Sequence, residues 1–108
     1  MDDGKRAEVT VRDNAEKHRF EADLGDSIAV AEYIVTPTKM IFSHTEVPPA
    51  HEGKGIGSIL IKAGLASARD RGLKVIPTCP FFASYMKRHP EVQDLLDDSY
   101  RKIFGLDV

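Results

Sequence analysis

The spacing of the apolar residues changes once along this chain, at a segment that carries three closely spaced glycines. Before it, apolar residues alternate with polar ones or form short runs, as in β-strands. After it, a helical spacing begins and continues to about Arg71, where Gly72 follows as a C-terminal helix signal. The apolar face predicted for this helix comprises Ile56, Ile59, Leu60, Ala63 and Ala66.

Four strands are predicted in the first half, joined by short turns that favour an antiparallel meander. A turn at Asp13-Asn14 is expected to end the first strand. The third is apolar on both faces, which is typical of a central strand. The strands are predicted around Val9 and Val11, then at His18–Leu24, Ile28–Val35 and Met40–Val47.

The chain after Gly72 predicts one more strand and two more helices. Leu73–Pro77 is the fifth strand, and the strand–helix–strand order makes it parallel to the fourth. A second helix begins at Pro80 and runs to about Arg88, and a short third helix covers Glu91 to Tyr100. The predicted fold is α/β (α+β) with a mixed sheet, in a single domain spanning residues 1–108.

Composition narrows the function classes. The 15 basic and 17 acidic residues give a net charge of −2, which argues against nucleic-acid binding by bulk charge. A single cysteine cannot form an internal disulfide and suits a reducing cytoplasm. The chain starts without a signal-like apolar run, and no apolar stretch is long enough to cross a bilayer. We therefore expect a cytoplasmic protein with no nucleic-acid or membrane partner.

The glycine segment Gly53–Gly57 directly precedes the first helix. Glycines let backbone N–H groups approach a ligand, and a helix N-terminus favours anions such as a pyrophosphate. The alternative is a turn that only joins a strand to a helix. The pattern lacks the Gly-Lys-Ser/Thr ending of a Walker loop, and Leu60 stands where a dinucleotide fingerprint needs its last glycine.

Several motifs together resemble the GNAT superfamily of N-acetyltransferases, and most closely a small GNAT-like subfamily of about this length. They are Arg19-Phe20-Glu21, His44–Pro48, Gly53–Gly57, Lys74–Phe81 and His89-Pro90-Glu91. The resemblance implies a GNAT-like fold, acetyl-CoA (or CoA) as cofactor and an amine acceptor, whose identity the sequence does not reveal. Larger members carry helices over the acceptor site that this chain lacks, so its acceptor side is expected to be open.

The cofactor residues follow from the glycine segment and from this resemblance. Glu52 stands where the family has Arg or Gln, so the pyrophosphate is expected to rest on backbone groups and Lys54. Arg88 is a further candidate for the phosphates, although an ordinary solvated charge is equally consistent. The predicted cofactor-binding residues are Val47, Gly53, Lys54, Gly55, Ile56, Gly57, Ser58, Cys79, Pro80, Tyr85 and Arg88.

Four residues are candidates for catalysis: His44, Glu46, Cys79 and Tyr85. His44 and Glu46 lie two apart on a strand and hence on one face, where a carboxylate base would serve amine attack, unless a bulge intervenes. Cys79 precedes a helix start that favours thiolate, and could carry the acetyl group with His44 as base. By the resemblance, Tyr85 would protonate the CoA sulfur.

Structural roles remain open for each of the four. Glu46 could be a solvated edge charge, His44 a hydrogen-bonded structural histidine, Cys79 a small buried thiol and Tyr85 a packing aromatic. The other histidines show no ligand spacing with Cys79, so no metal site is expected. Two other functions stay in play: a non-catalytic acyl-CoA-binding module, and a protein-interaction domain that has kept the fold.

Overall fold

The computed structural model describes residues 9–106 and confirms the predicted mixed α/β fold. Two short 3-10 turns, Pro49–His51 and Pro90–Leu95, complement the regular elements. The strands are β1 (Thr10–Asn14), β2 (Arg19–Asp23), β3 (Ile28–Val35), β4 (Lys39–Glu46) and β5 (Lys74–Pro77), and the helices are α1 (Ile56–Arg71), α2 (Pro80–Arg88) and α3 (Asp98–Ile103).

The five strands form one sheet in the order β1-β2-β3-β4-β5, antiparallel except for the parallel pair β4–β5. The predicted meander and crossover are therefore confirmed. β5 pairs with β4 only over Lys39–Phe42. The last four residues of β4, from Ser43 to Glu46, continue beyond the end of β5, so the two strands leave a gap there.

Helices α1 and α2 pack on the same face of the sheet, where Phe42 of β4 and Phe82 of α2 are both fully buried. On β3, Ala29, Ala31 and Tyr33 point into this core. The predicted central position of β3 is confirmed, but its apolar outer face is left open, since Ile28 and Ile34 are 48% and 54% exposed. β3 is central in strand order, yet only one of its faces lies under the helices.

The buried face of α1 is rotated relative to the predicted one. Ile56 and Leu60 are buried as expected, but Ala66 is exposed, and Ile59 and Ala63 are only half-buried. The reason is Gly64, whose missing side chain allows the helix to approach the Phe42 ring closely. The remaining buried positions are Ile61, Gly64, Leu65 and Ala68.

A β-bulge interrupts the pairing of β3 with β4 and changes which side chains of β4 face the helices. Glu32 pairs with His44 and the next residue, Tyr33, pairs with Phe42, so Ser43 is the extra residue. Before the bulge Phe42 is buried; after it Thr45 is buried and its neighbours His44 and Glu46 are exposed. The bulge lies just before His44, so His44 and Glu46 still share a face.

Two local predictions are wrong. Asp13-Asn14 is part of β1, and the turn follows at residues 15–18. The predicted helix Glu91–Tyr100 is instead a 3-10 segment and α3, separated by Leu96 and Asp97. Leu96 is buried and bridges to β5, while the Asp97 carboxylate accepts a hydrogen bond from the backbone N–H of Ser99 and so starts a new helix.

A buried carboxylate lies on β2, on the face away from the helices. Glu21 accepts hydrogen bonds from Arg12, Asn14 and Arg19, and the shortest is 2.7 Å from Arg19 Nε. These donors, mainly Arg19, lower the pKa of Glu21 to about 2, although burial acts in the opposite direction. The Arg19-Phe20-Glu21 motif therefore ties β1 to β2 and places Phe20 in the core.

None of the helices between residues 9 and 106 is both long and apolar enough to span a membrane.

Candidate cofactor groove and active site

A groove of about 760 Å³ runs between the end of β4, the glycine segment, the start of α1 and one side of α2. It lies where β4 extends past β5, so its position follows from the short pairing of these two strands. It is lined by Thr45, Glu46, Val47, His51, Glu52, Gly53, Gly55, Ile56, Gly57, Ser58, Ile61, Phe81, Ser84, Tyr85 and Arg88.

The start of α1 forms one wall of this groove. Gly53 and Gly55 have φ angles of +83° and +81°, which side chains other than glycine rarely adopt. Gly55 is the N-cap of the helix, and no side chain caps the first turn. The first N–H groups of a helix have no partner within it, so this end offers donors and a partial positive charge to an anion.

His51 connects the segment before the glycines to the turn between β2 and β3. Its Nε2 lies 3.0 Å from Oδ1 of Asp26, 25 positions earlier in the chain. The bond from His51, with a smaller contribution from Ser27, lowers the pKa of Asp26 below its usual value. Asp26 is therefore a carboxylate at neutral pH, and it holds His51 at the groove.

Glu46 and His44 form a pair at the end of β4. Glu46 Oε1 lies 3.3 Å from His44 Nε2, and both side chains are more than half exposed. Glu46 lines the groove, whereas His44 does not. Glu46 offers a carboxylate that can accept a proton at the groove, and His44 lies within hydrogen-bond distance of it. This arrangement suits general base chemistry.

Tyr85 lies on the opposite wall, in α2. Its residue is 6% exposed, and burial, with a smaller effect of Glu91, raises the pKa of its phenol above the usual value. The ring stacks on His89 with centroids 3.8 Å apart, and His89 Nδ1 donates a hydrogen bond to the Tyr85 carbonyl. Tyr85 is thus a fixed, protonated phenol that can donate a proton into the groove.

Cys79 lies behind the groove lining. The residue is 3% exposed, and its thiol donates a hydrogen bond to Oγ1 of Thr45 at 3.2 Å. Its backbone N–H donates to the Phe42 carbonyl at 3.0 Å, and the residue is the N-cap of α2. The structure therefore brings Cys79 together with Thr45, while His44 lies with Glu46 instead.

The predicted residues fall into two groups. Most of the predicted cofactor residues, with Glu46, line the groove, but His44, Lys54, Cys79 and Pro80 do not. Six lining residues are absent from the predicted set, namely Thr45, His51, Glu52, Ile61, Phe81 and Ser84. Helical spacing from Tyr85 and Arg88 could have pointed to Phe81 and Ser84, since positions three and four apart share a face.

Residues 9–106 contain no group of three or more His, Cys, Asp or Glu side chains placed to hold a metal ion.

The mixed sheet, the crossover helix with its glycine start, and the gap beside β4 define a small GNAT-like α/β protein. A family model described as GCN5-related N-acetyl-transferase matches residues 19–95, and the chain belongs to this family.

Relatives of similar length carry the name Protein NATD1. The protein of Gallus gallus is 36% identical over 93 residues, which cover 86% of this chain and 77% of that protein. The Homo sapiens protein is 34% identical over 93 residues, covering 86% of this chain and 75% of its own length. The Xenopus tropicalis protein is 33% identical over 93 residues, with 86% and 78% covered.

Proposed function

We propose that this protein is an acetyl-CoA-dependent N-acetyltransferase that moves an acetyl group to an amine acceptor, acting as one domain over residues 1–108. One observation carries the proposal: a single groove joins the uncapped start of α1 to the gap between β4 and β5, with Glu46 and Tyr85 along it. Family membership supports the same chemistry.

The groove suits CoA at both of its ends. The free N–H groups at the start of α1 would hold the pyrophosphate, and Arg88 on α2 offers a positive charge from the opposite wall. Val47 would contact the pantetheine arm, next to strand residues of β4 that β5 leaves unpaired. The reacting thioester would then lie near Thr45 and Tyr85.

Glu46 and Tyr85 would divide the proton transfers. A lysine-like amine is protonated at neutral pH, so it must lose a proton before its nitrogen can attack the thioester carbon. Glu46 would take that proton, directly or through water. As the new C–N bond forms and the C–S bond breaks, the nitrogen would release its surplus proton to solvent and Tyr85 would donate its proton to the departing sulfur. Solvent would then return a proton to the phenol and take one from Glu46.

Cys79 offers a second route through an acetyl-enzyme. Its Sγ would attack the thioester carbon, release CoA as the thiol, and pass the acetyl group to the amine in a second step. Its position 3.2 Å from Thr45, which lines the groove, keeps the sulfur close to the proposed reaction centre. Its burial and the partnership of His44 with Glu46 favour direct transfer.

Calorimetric titration with acetyl-CoA, followed by a CoA-release assay over a panel of small amines and lysine peptides, tests the proposal. We expect binding and turnover in the wild type, and binding without turnover in Glu46→Gln and Tyr85→Phe. Binding with no turnover on any amine would favour a non-catalytic acyl-CoA-binding module. Absence of binding would overturn the proposal and favour a protein-interaction domain.

The buried, unpaired Cys79 suits a reducing compartment, and we propose that the reaction takes place in the cytoplasm.

A further inference from the structure

His51 occupies the junction between β4 and the glycine segment. It ends the 3-10 turn Pro49–His51, lines the groove beside Gly53 and Gly55, and has a side chain that is 18% exposed. Its ring is held from outside the groove by Asp26, whose own side chain is 73% exposed. One ring nitrogen, Nε2, thus meets a carboxylate, and the residue lines the groove beside the proposed phosphate site.

The bond to Asp26 decides what the ring can offer to a phosphate. A carboxylate only accepts hydrogen bonds, so Nε2 of His51 must carry the hydrogen. In the neutral ring, Nδ1 is then an acceptor and cannot bind a phosphate oxygen. In the imidazolium form, Nδ1 is a donor and the ring carries a positive charge, so only the protonated ring suits a pyrophosphate.

The charged and titratable side chains that line the groove with His51 are Glu46, Glu52, Tyr85 and Arg88. Asp26 bonds the ring from the β2–β3 turn. Lys54 belongs to the glycine segment but does not line the groove. His51 is therefore the residue through which the segment before α1 can present positive charge to the groove.

We propose that His51, in its doubly protonated form and with Asp26 as counter-ion, binds the pyrophosphate of CoA beside the start of α1. The inference rests on the proposed function, because it assigns a residue to the phosphate end of the same groove. It makes CoA affinity depend on pH: binding weakens as the imidazolium loses its proton.

The test compares CoA with S-acetylpantetheine, which lacks the phosphates, in NMR titrations between pH 6 and pH 8.5. In His51→Gln the side-chain amide can still donate to Asp26, so the contact is kept and the charge is lost. We expect CoA to bind the wild type about tenfold more weakly at the high pH, the lower end of the range for one hydrogen bond to a charged group. We expect little pH dependence for S-acetylpantetheine, and none for CoA in His51→Gln.

A charge control and a second ligand complete the design. Lys17→Gln removes one positive charge in the exposed turn between β1 and β2, and we expect it to keep the wild-type pH profile. In the wild type, inorganic pyrophosphate should shift the ring signals of His51 at pH 6 and not at pH 8.5.

The outcomes separate the two proposals. CoA binding with the same pH profile in wild type and His51→Gln overturns the role of His51 and leaves the proposed function intact. A loss of CoA and S-acetylpantetheine affinity by equal factors in His51→Gln shows a purely structural contact and also overturns it. If the wild type binds no CoA at any pH, both proposals fail.

Discussion

The rings of Phe42 in β4 and Phe82 in α2 stack face to face, with centroids 4.0 Å apart and planes 7° from parallel. Gly64 of α1 lies against this pair. A Cβ atom at Gly64 would be 2.8 Å from Cε1 of Phe42 and 3.2 Å from Cζ of Phe82. The stacked rings therefore occupy the space of a residue-64 side chain, and they set how closely α1 packs on the sheet.

Gly64→Ala should destabilise the fold, although alanine is the better helix former. The methyl group meets two buried rings that cannot move freely, and such overpacking costs about 1–3 kcal/mol. Gly57 in the same helix is the matched control, since its Cβ would only reach ordinary contact with Val47 at 4.0 Å. Urea unfolding should show Gly57→Ala as stable as wild type or about 0.4–1 kcal/mol more stable. Equal stability of Gly64→Ala and wild type would contradict the packing argument.

Gly55→Asp should abolish CoA binding, because it adds a carboxylate at the proposed phosphate site. The control is Gly72→Asp at the other end of α1, where φ is +70° compared with +81° at Gly55 and an added Cβ also meets open space. Both variants carry the strain of a left-handed residue, about 1–2 kcal/mol. Calorimetry on the two proteins should show CoA binding lost only at residue 55. Equal affinities would place the phosphates elsewhere.

Glu52→Arg should tighten CoA binding, because Glu52 lines the groove at the segment before α1. Replacing a negative by a positive charge near a pyrophosphate is expected to make the free energy of CoA binding more favourable by about 0.5–1 kcal/mol, as for an exposed charge contact. The gain should shrink as salt is raised from about 20 mM to about 500 mM, because added salt shortens the distance over which exposed charges interact. Glu16→Arg, in the turn between β1 and β2, makes the same change in net charge and should leave affinity unchanged. Weaker binding in Glu52→Arg would show another role for Glu52.

The Glu21 carboxylate should make stability fall at low pH. Its pKa is lowered from 4.5 to about 2, chiefly by Arg19, so the folded state holds the charged form more strongly than the unfolded chain does. This stabilisation is present above pH 4.5 and is lost as the pH falls toward 2. Glu21→Gln should be less stable than wild type at pH 7, and the difference should shrink across this window.

Urea unfolding at pH 7, 4.5, 3 and 2.5 measures that difference. Asp97 also has a pKa of about 2, lowered mainly by Lys39, but it titrates in both proteins and cancels from the comparison. Glu16→Gln, at an exposed turn position, is the control and should follow the wild-type curve. A constant difference between Glu21→Gln and wild type at all four pH values would contradict the linkage.

Intact mass after incubation with acetyl-CoA alone distinguishes the two acetyl-transfer routes. Direct transfer predicts no adduct, and turnover that survives in Cys79→Ser, whose hydroxyl can keep a hydrogen bond to Thr45. An acetyl adduct of 42 Da, of the order expected for one acetyl group, that disappears in Cys79→Ala together with turnover would establish the acetyl-enzyme route. Thermal unfolding of each variant checks that it is folded at the assay temperature.

The strands and α1 could be predicted because their signals are local. Ile28–Val35 was located from its composition, and Gly72 marked the end of α1 through its left-handed conformation. The C-terminal region was misjudged because its break at Leu96 depends on a bridge to Val75, 21 positions earlier in the chain. Helical spacing alone contains no information about such a contact.

The candidate site could be predicted only in part, because some of its features are local in sequence and others are not. Gly53 and Gly55 indicate a left-handed backbone from the sequence alone, and the start of the next helix can be predicted from them. The place of Thr45 in the groove lining depends on the bulge at Ser43, which shifts the inward positions of β4 by one residue. The proposed role of His51 depends on its contact with Asp26, which only the folded sheet brings near. Both features arise from tertiary structure.

The order of the strands in the sheet, which repeats their order along the chain, bears on how this protein can be made. Each new strand pairs with the one synthesised just before it, so sheet growth needs only short loop closures, which are entropically cheap and fast. The crossover from β4 to β5 is the one long closure, and α1 forms within it. On the ribosome, the four-stranded meander can therefore assemble as it emerges, while the groove beside β4 is completed only when β5 and α2 have been released.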